Sequence, residues 1–234
     1  MNMPDRVILV TGATRGIGRF LAQALCDRGH VVVGCGRSKT AWEATNFEYV
    51  TCDVSDEKAV TKMVRGAAKK YGRLDAVLNC AGVASMNHSL LTPGSTMEKI
   101  LRINVIGTML VCREAAKAMR KTGGRIVNMS SVAAPMQIEG EAVYAASKAA
   151  VETFTKIFAR EVAPFGVTCN VVAPSPIDTD LIRGVPAEKI DQLVERLGIK
   201  RRGTFEDVLA VVDFFLDEKS DYISGQTLYL GGVS

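Results

Sequence analysis

The feature of this chain that most narrows its possible folds is an alternation of two patterns along almost its whole length. Short runs rich in β-branched residues, at 6–10, 31–35, 48–52, 76–79, 125–129 and 168–172, are apolar at consecutive positions, as in strands buried on both faces. Between them, segments 17–27, 57–71, 96–120, 142–162 and 205–217 carry apolar residues with a 3.6-residue period, the mark of helices with one face on a core. A last short run, 227–230, precedes Gly231 and Gly232. Strands alternating with helices require crossover connections, which predicts an α/β protein with a doubly wound parallel sheet covered on both faces.

The 234 residues, 47% hydrophobic and 23% charged, suffice for one large core. No linker, repeat or low-complexity tract divides them, so a single domain over 1–234 is expected. Two connections break the rhythm. About ten residues separate Arg37 from Phe47, too few for a crossover helix. The stretch 176–203 is long, interrupted by proline and glycine, and amphipathic near 188–197, which suggests a substrate loop or lid.

The net charge of +4 is mild and its basic residues are scattered, so no nucleic-acid partner is expected. The first ten residues leave no room for a secretory leader, and no apolar stretch reaches the ~18 residues of a membrane span, so a cytoplasmic protein without a membrane partner is expected. Cys26, Cys35, Cys52, Cys80, Cys112 and Cys169 stand singly in apolar surroundings. With no CxxC pair and no clustered histidines, they read as reduced core residues, with no metal site.

The first strand leads into Thr11-Gly12-Ala13-Thr14-Arg15-Gly16-Ile17-Gly18, where a helix begins. Glycines permit a tight turn and close approach of a ligand, and the helix N-terminus offers unpaired N–H groups to a pyrophosphate. This order of strand, glycine turn and helix points to a Rossmann-type dinucleotide site. A P-loop is disfavoured, because no Lys-Ser or Lys-Thr follows the last glycine.

Tyr144-Ala-Ala-Ser-Lys148 lies in a helical pattern, so tyrosine and lysine share one face. An ammonium beside a phenol favours phenolate, which would bring a group of ordinary pKa about 10 into proton-transfer range. Ser131 is expected to end the fifth strand and lies thirteen residues before Tyr144.

The Gly-x-x-x-Gly-x-Gly turn, the Tyr-x-x-x-Lys pair and the Ser-to-Tyr separation together resemble the short-chain dehydrogenase/reductase family, over residues 6–232. The resemblance implies a hydride-transfer enzyme acting on a carbonyl or alcohol. It makes Tyr144 the general acid or base, Ser131 a hydrogen-bond donor to the substrate oxygen, and Lys148 the holder of the nicotinamide ribose. Asn104, in Ile103-Asn104-Val105-Ile106-Gly107, is similar to the family's helix asparagine that anchors a relay water. The implied cofactor contacts are Gly12, Thr14, Arg15, Gly16, Ile17 and Gly18 in the turn, Asp53 and Val54 at the adenine, and Asn79, Ala81 and Gly82 after the fourth strand. Cys80 stands where the family has a second Asn. Pro174, Ile177 and Thr179 are implied at the nicotinamide, with Ser175 replacing a usual glycine.

NAD enzymes place an acidic residue at the end of the second strand; here that position is Cys35, followed by Gly36 and Arg37. Arg37 and Arg15 would suit a 2′-phosphate, so NADP(H) is expected ahead of NAD(H). Residues 143–172 and 222–232 are similar to 3-oxoacyl carrier-protein reductases, which implies a 3-oxoacyl thioester on an acyl carrier protein or coenzyme A. Against the carrier protein, the two positions where those enzymes carry arginines are Thr122 and Phe165, with Arg120 and Lys121 partial substitutes for the first. The loop residues Asn87 and His88 and the run Lys200-Arg201-Arg202 read as solvated surface ahead of substrate contacts. A homo-oligomer, tetrameric by resemblance, is expected through helices 96–120 and 142–162, where Val111, Phe154, Ile157 and Phe158 were candidates for a second apolar face. Two other classes, a cofactor-binding regulator and a nucleotide-sugar epimerase, are disfavoured by the presence of Tyr144 and Lys148 and by the lack of a C-terminal substrate domain.

Overall fold

The computed structural model describes residues 6–39, 42–180 and 185–233. Residues 1–5, part of the segment read for a leader, and 181–184 of the expected loop lie outside them. Seven strands, β1 (Val7–Thr11), β2 (Val31–Gly36), β3 (Phe47–Thr51), β4 (Ala76–Asn79), β5 (Gly124–Met129), β6 (Val167–Ala173) and β7 (Thr227–Tyr229), form one sheet in the order β3-β2-β1-β4-β5-β6-β7. Every pairing is parallel.

Helices α1 (Gly16–Asp27), α2 (Glu57–Tyr71), α3 (Gly94–Leu101), α4 (Thr108–Met119), α5 (Ala133–Met136), α6 (Ala142–Val162), α7 (Ala187–Glu195) and α8 (Phe205–Leu216) follow in chain order. Their ends carry local signals. The side chain of Asp56 caps α2 through the amides of Lys58 and Ala59, and Gly72, at φ +72°, ends that helix. Thr204 and Asp207 form a reciprocal capping box on α8.

Strand residues alternate between two cores, as a pleated strand requires. Val7 and Leu9 join one cluster with α2, α4 and α6; Ile8 and Val10 join another with α1 and α8. Burial on both faces is why β1 and β6 read as unbroken apolar runs. The chain winds from β1 outward to β3, then returns to β4 on the other side. That reversal opens a crevice at the strand C-terminal ends between β1 and β4.

Two expectations need correction. The segment 96–120 is not one α-helix: α3 starts at Gly94, and a π-helical turn at Arg102–Gly107 separates it from α4. Within that turn Gly107 packs so closely on Val54 that a Cβ would lie 2.8 Å from its Cγ2, and Asn104 is turned toward the loop after β4. Val111 and Phe158 are fully packed in the core, not on a second face, whereas Ile157 is 57% exposed. Lys200, Arg201 and Arg202 lie on the surface, where they pair with Glu195, with Asp207, and with both Asp178 and Asp191. The short connection 37–47 carries no crossover helix among the described residues; Trp42 from it is buried, stacked on Phe47 and bonded to the Ala13 carbonyl at 3.0 Å.

Candidate active site

A cavity of about 730 Å³ occupies the crevice. At one end lie Gly12, Thr14, Arg15, Gly16, Ile17 and Gly18, with Gly36, Arg37, Asp53 and Val54 beside them; at the other lie Ser131, Tyr144, Lys148 and Ile190.

The glycine turn is built by close approach. Gly12, at φ +69°, leaves only 2.9 Å between a hypothetical Cβ and the Ala81 backbone, and at Gly18 such an atom would sit 2.5 Å from the Gly12 carbonyl. The Thr11 hydroxyl accepts a 3.0 Å bond from the Ala81 amide, joining this turn to the loop after β4. The first turn of α1 has no side-chain cap and no acidic residue, so its N–H groups remain available to an anion. These features fit a dinucleotide pyrophosphate. Asp53 holds its own turn by accepting bonds from the Ser55 amide and hydroxyl.

Beyond β2 there is no carboxylate at Cys35-Gly36. Arg37 is exposed and makes no ion pair among the described residues. Arg15 lies 3.7 Å from Asp180, a solvent-facing pair.

At the other end, Tyr144 and Lys148 are both buried on α6. Burial pushes the Tyr144 phenol up to about 12, against the lowering effect of the Ser131 hydroxyl bonded to it; Glu141, one turn earlier, adds to the rise. The phenol is therefore raised, against the lowering expected from the sequence. Lys148 moves down to about 8, again through burial. Its Nζ donates to the Met129 carbonyl at 3.0 Å and sits 5.6 Å from the Tyr144 ring centre. Ser131 lies two residues beyond the end of β5 rather than on it, and its hydroxyl also accepts from the Ala133 amide at 3.2 Å.

Asn104 and Asn79 stand behind the cavity wall, not on it. The Asn104 amide grips the Val83 backbone twice, accepting from its N–H and donating to its carbonyl, both at 2.9 Å. It also donates to Ser147 Oγ at 3.0 Å, and Ser147 in turn donates to the Tyr144 carbonyl at 2.6 Å. Asn79 donates to Asn128 at 2.8 Å across the strand ends. Ala81, Gly82, Pro174, Ile177 and Thr179 line the cavity, and Thr179 lies over Gly16, 3.8 Å from where its Cβ would be. Cys80 faces Lys148, and burial raises its thiol to about 12. Asn87 and His88 do not line the cavity: Asn87 bonds Ser85, and His88 caps the short turn Ser89–Leu91.

Sequence reasoning missed Glu141, Ser147 and Glu152. All belong to the polar stripe that accompanies Tyr144 and Lys148 along α6. The signal was present for two of them: on a helix this apolar, serine and glutamate at the buried i+3 and i+8 positions of Tyr144 are unexpected.

Comparison with known proteins agrees with this geometry. Residues 12–233 match the family described as enoyl-(acyl carrier protein) reductase. The chain belongs to the short-chain dehydrogenase/reductase family. It is 31% identical to the 3-oxoacyl-(acyl-carrier-protein) reductase of Escherichia coli, over 99% of this chain and 98% of that one. Carbonyl reductase family member 4 of Danio rerio is 36% identical, covering 97% of each chain. Among solved structures, Thermoplasma acidophilum aldohexose dehydrogenase superposes with a TM-score of 0.88 at 29% identity, covering 98% of this chain and 94% of that one. A Mycobacterium ulcerans short-chain dehydrogenase/reductase gives 0.91 at 27% identity, covering 98% and 90%. This short-chain dehydrogenase/reductase is thus an oxidoreductase of carbonyls or alcohols that uses a nicotinamide cofactor. No helix among the described residues is long and apolar enough to cross a membrane, and no metal-binding cluster occurs among them.

Proposed function

We propose that the protein is an NADPH-dependent reductase of small ketones, with 3-oxoacyl thioesters of coenzyme A or an acyl carrier protein as the leading substrate class. The observation that carries the reading is the convergence of Ser131, Tyr144 and Lys148 in the cavity that begins at the glycine turn. Similarity to a 3-oxoacyl reductase over 99% of the chain supports the thioester.

A nicotinamide held in this cavity would supply the hydride. Tyr144, protonated because burial holds its phenol high, gives its proton to the carbonyl oxygen as charge builds there. Ser131 donates its one hydroxyl hydrogen to the same oxygen. Lys148 spends one N–H on the Met129 carbonyl, leaving two for the ribose and for a relay to solvent. Asn104 acts as a positioning residue, through Ser147 and Val83. The pyrophosphate rests on Gly12, Thr14, Gly16, Ile17 and Gly18, and the adenine on Asp53 and Val54.

NADP over NAD is supported by the missing carboxylate after β2 and by Arg37 and Arg15. Freeing Arg15 from Asp180 is cheap, since exposed ion pairs contribute about 0–1 kcal/mol. A homotetramer is supported by the exposed Leu101, Ile106 and Ile157 on α3, the π turn and α6. A second substrate reading, a small polar ketone or sugar, is favoured by Glu139, Glu141, Lys189 and Arg196 around the cavity.

The test is a fluorescence titration of NADPH and NADH, followed by turnover with a short 3-oxoacyl thioester and with simple hydroxyketones. Tighter NADPH binding that Arg37→Ala reduces, with thioester turnover, supports the reading. Tighter NADH binding would reverse the cofactor assignment, and turnover of the hydroxyketones alone would move the substrate class to the second reading.

A further inference from the structure

Glu152 lies on α6 one turn beyond Lys148 and two beyond Tyr144, and is 8% exposed. Buried carboxylates ordinarily sit against a cation. Glu152 has no ion pair among the described residues; both its oxygens are instead held by hydroxyl groups. The Ser130 hydroxyl donates to one and the Tyr229 hydroxyl donates to the other at 2.6 Å. Ser130 is the residue before Ser131 and is itself buried, and Tyr229 is the last residue of β7. One carboxylate therefore ties the catalytic helix both to the loop that bears Ser131 and to the edge strand of the sheet.

We propose that Glu152 is a positioning residue of the active site, fixing the Ser130-Ser131 loop against α6 and facing the Lys148 ammonium with a buried negative charge. The proposal rests on the reductase reading above.

The charges around Lys148 are few. Burial drives Lys148 toward the neutral form, while Cys80, from the loop after β4, and Glu152, from its own helix, oppose that. Cys80 is neutral below about 12, so it contributes no charge near neutral pH. Tyr144 is likewise protonated there, and Tyr229, raised by burial and by Glu152 itself, remains a donor. Asn104, behind Gly82, carries no charge, and the Met129 carbonyl contributes only a dipole. Glu141 acts on Tyr144. Glu152 is thus the anion that keeps Lys148 an ammonium at the pH where catalysis needs one.

The experiment is the pH profile of kcat for wild type, Glu152→Gln and Glu152→Asp, with thermal melting alongside. In Glu152→Gln the alkaline limb moves to lower pH by on the order of one unit, cutting the ammonium fraction at pH 8 about fivefold. Glu152→Asp retains the charge and restores most of that limb. A purely structural tie would lower kcat or Tm at every pH and leave the limb where it was, and that result overturns the proposal. If Glu152→Gln does not fold, the double variant Glu152→Gln, Tyr229→Phe also removes the hydroxyl that would face the new amide; its limb must move to lower pH as well, and an unmoved limb overturns the proposal equally. Absence of activity in wild type itself would instead refute the reductase reading.

Discussion

Asn104→Ala isolates what the π-helical turn contributes. The side chain makes three bonds of 2.9–3.0 Å, two of them to the backbone N–H and carbonyl of Val83 and one to Ser147. Ser147 keeps its own bond to the Tyr144 carbonyl after the truncation, so its loss is small. The Val83 N–H and carbonyl are left behind in a half-buried loop, where water can reach them only in part. At about 1–1.5 kcal/mol for each bond broken, the substitution should cost roughly 2–4 kcal/mol. For a domain of this size that corresponds to a melting temperature lower by roughly 5–15 °C. Urea unfolding followed by circular dichroism gives the free energy directly. The loop 80–86 that Asn104 holds also lines the cavity, so KM for the carbonyl substrate should rise along with the loss of stability. A change below about 0.5 kcal/mol would refute the assignment of these bonds as the clamp on that loop.

Gly12→Ala combines a left-handed backbone at φ +69° with a Cβ 2.9 Å from the Ala81 backbone, so it should destabilise the fold by roughly 2–5 kcal/mol and abolish cofactor binding, as read by melting and by NADPH fluorescence. Glu141→Gln removes a charge that raises the Tyr144 phenol; the phenolate becomes easier to form, and in the alcohol-oxidation direction the acid limb of the pH profile should move to lower pH. Arg202→Ala cuts the ties from Asp178 to Asp191, which link the end of the β6 loop to α7. Because both pairs are exposed, global stability should change by less than about 1 kcal/mol, while amide exchange in Ala187–Glu195 accelerates.

Much of this architecture was legible in the sequence because it rests on local patterns. The strand runs fall within a residue or so of the observed strands, since burial on both faces leaves an unbroken apolar signature. Tyr144 and Lys148 share a face because a helix makes i and i+4 neighbours, and the glycine turn announces itself through its spacing. What escaped was encoded in contacts between distant segments. The π turn at Arg102–Gly107 keeps the same apolar stripe as an α-helix, so periodicity cannot reveal it; the residues it packs on and bonds, Val54 and Val83, lie about fifty and twenty residues away. The partners of Arg202 were not legible, because Asp178 and Asp191 approach it only in the folded chain. Burial of the phenol could not be weighed against its ammonium neighbour without the surrounding walls. The role of Glu152 depends on Ser130 and Tyr229, which come together only when β7 closes the sheet.

The central claim is that Tyr144 delivers the proton in a nicotinamide-dependent carbonyl reduction. Its most direct test is NADPH consumption with a short 3-oxoacyl thioester by wild type and Tyr144→Phe, with cofactor affinity measured in both. The account predicts that Tyr144→Phe binds NADPH nearly as tightly and loses turnover by about 10²-fold or more. Equal turnover in the two proteins would contradict it.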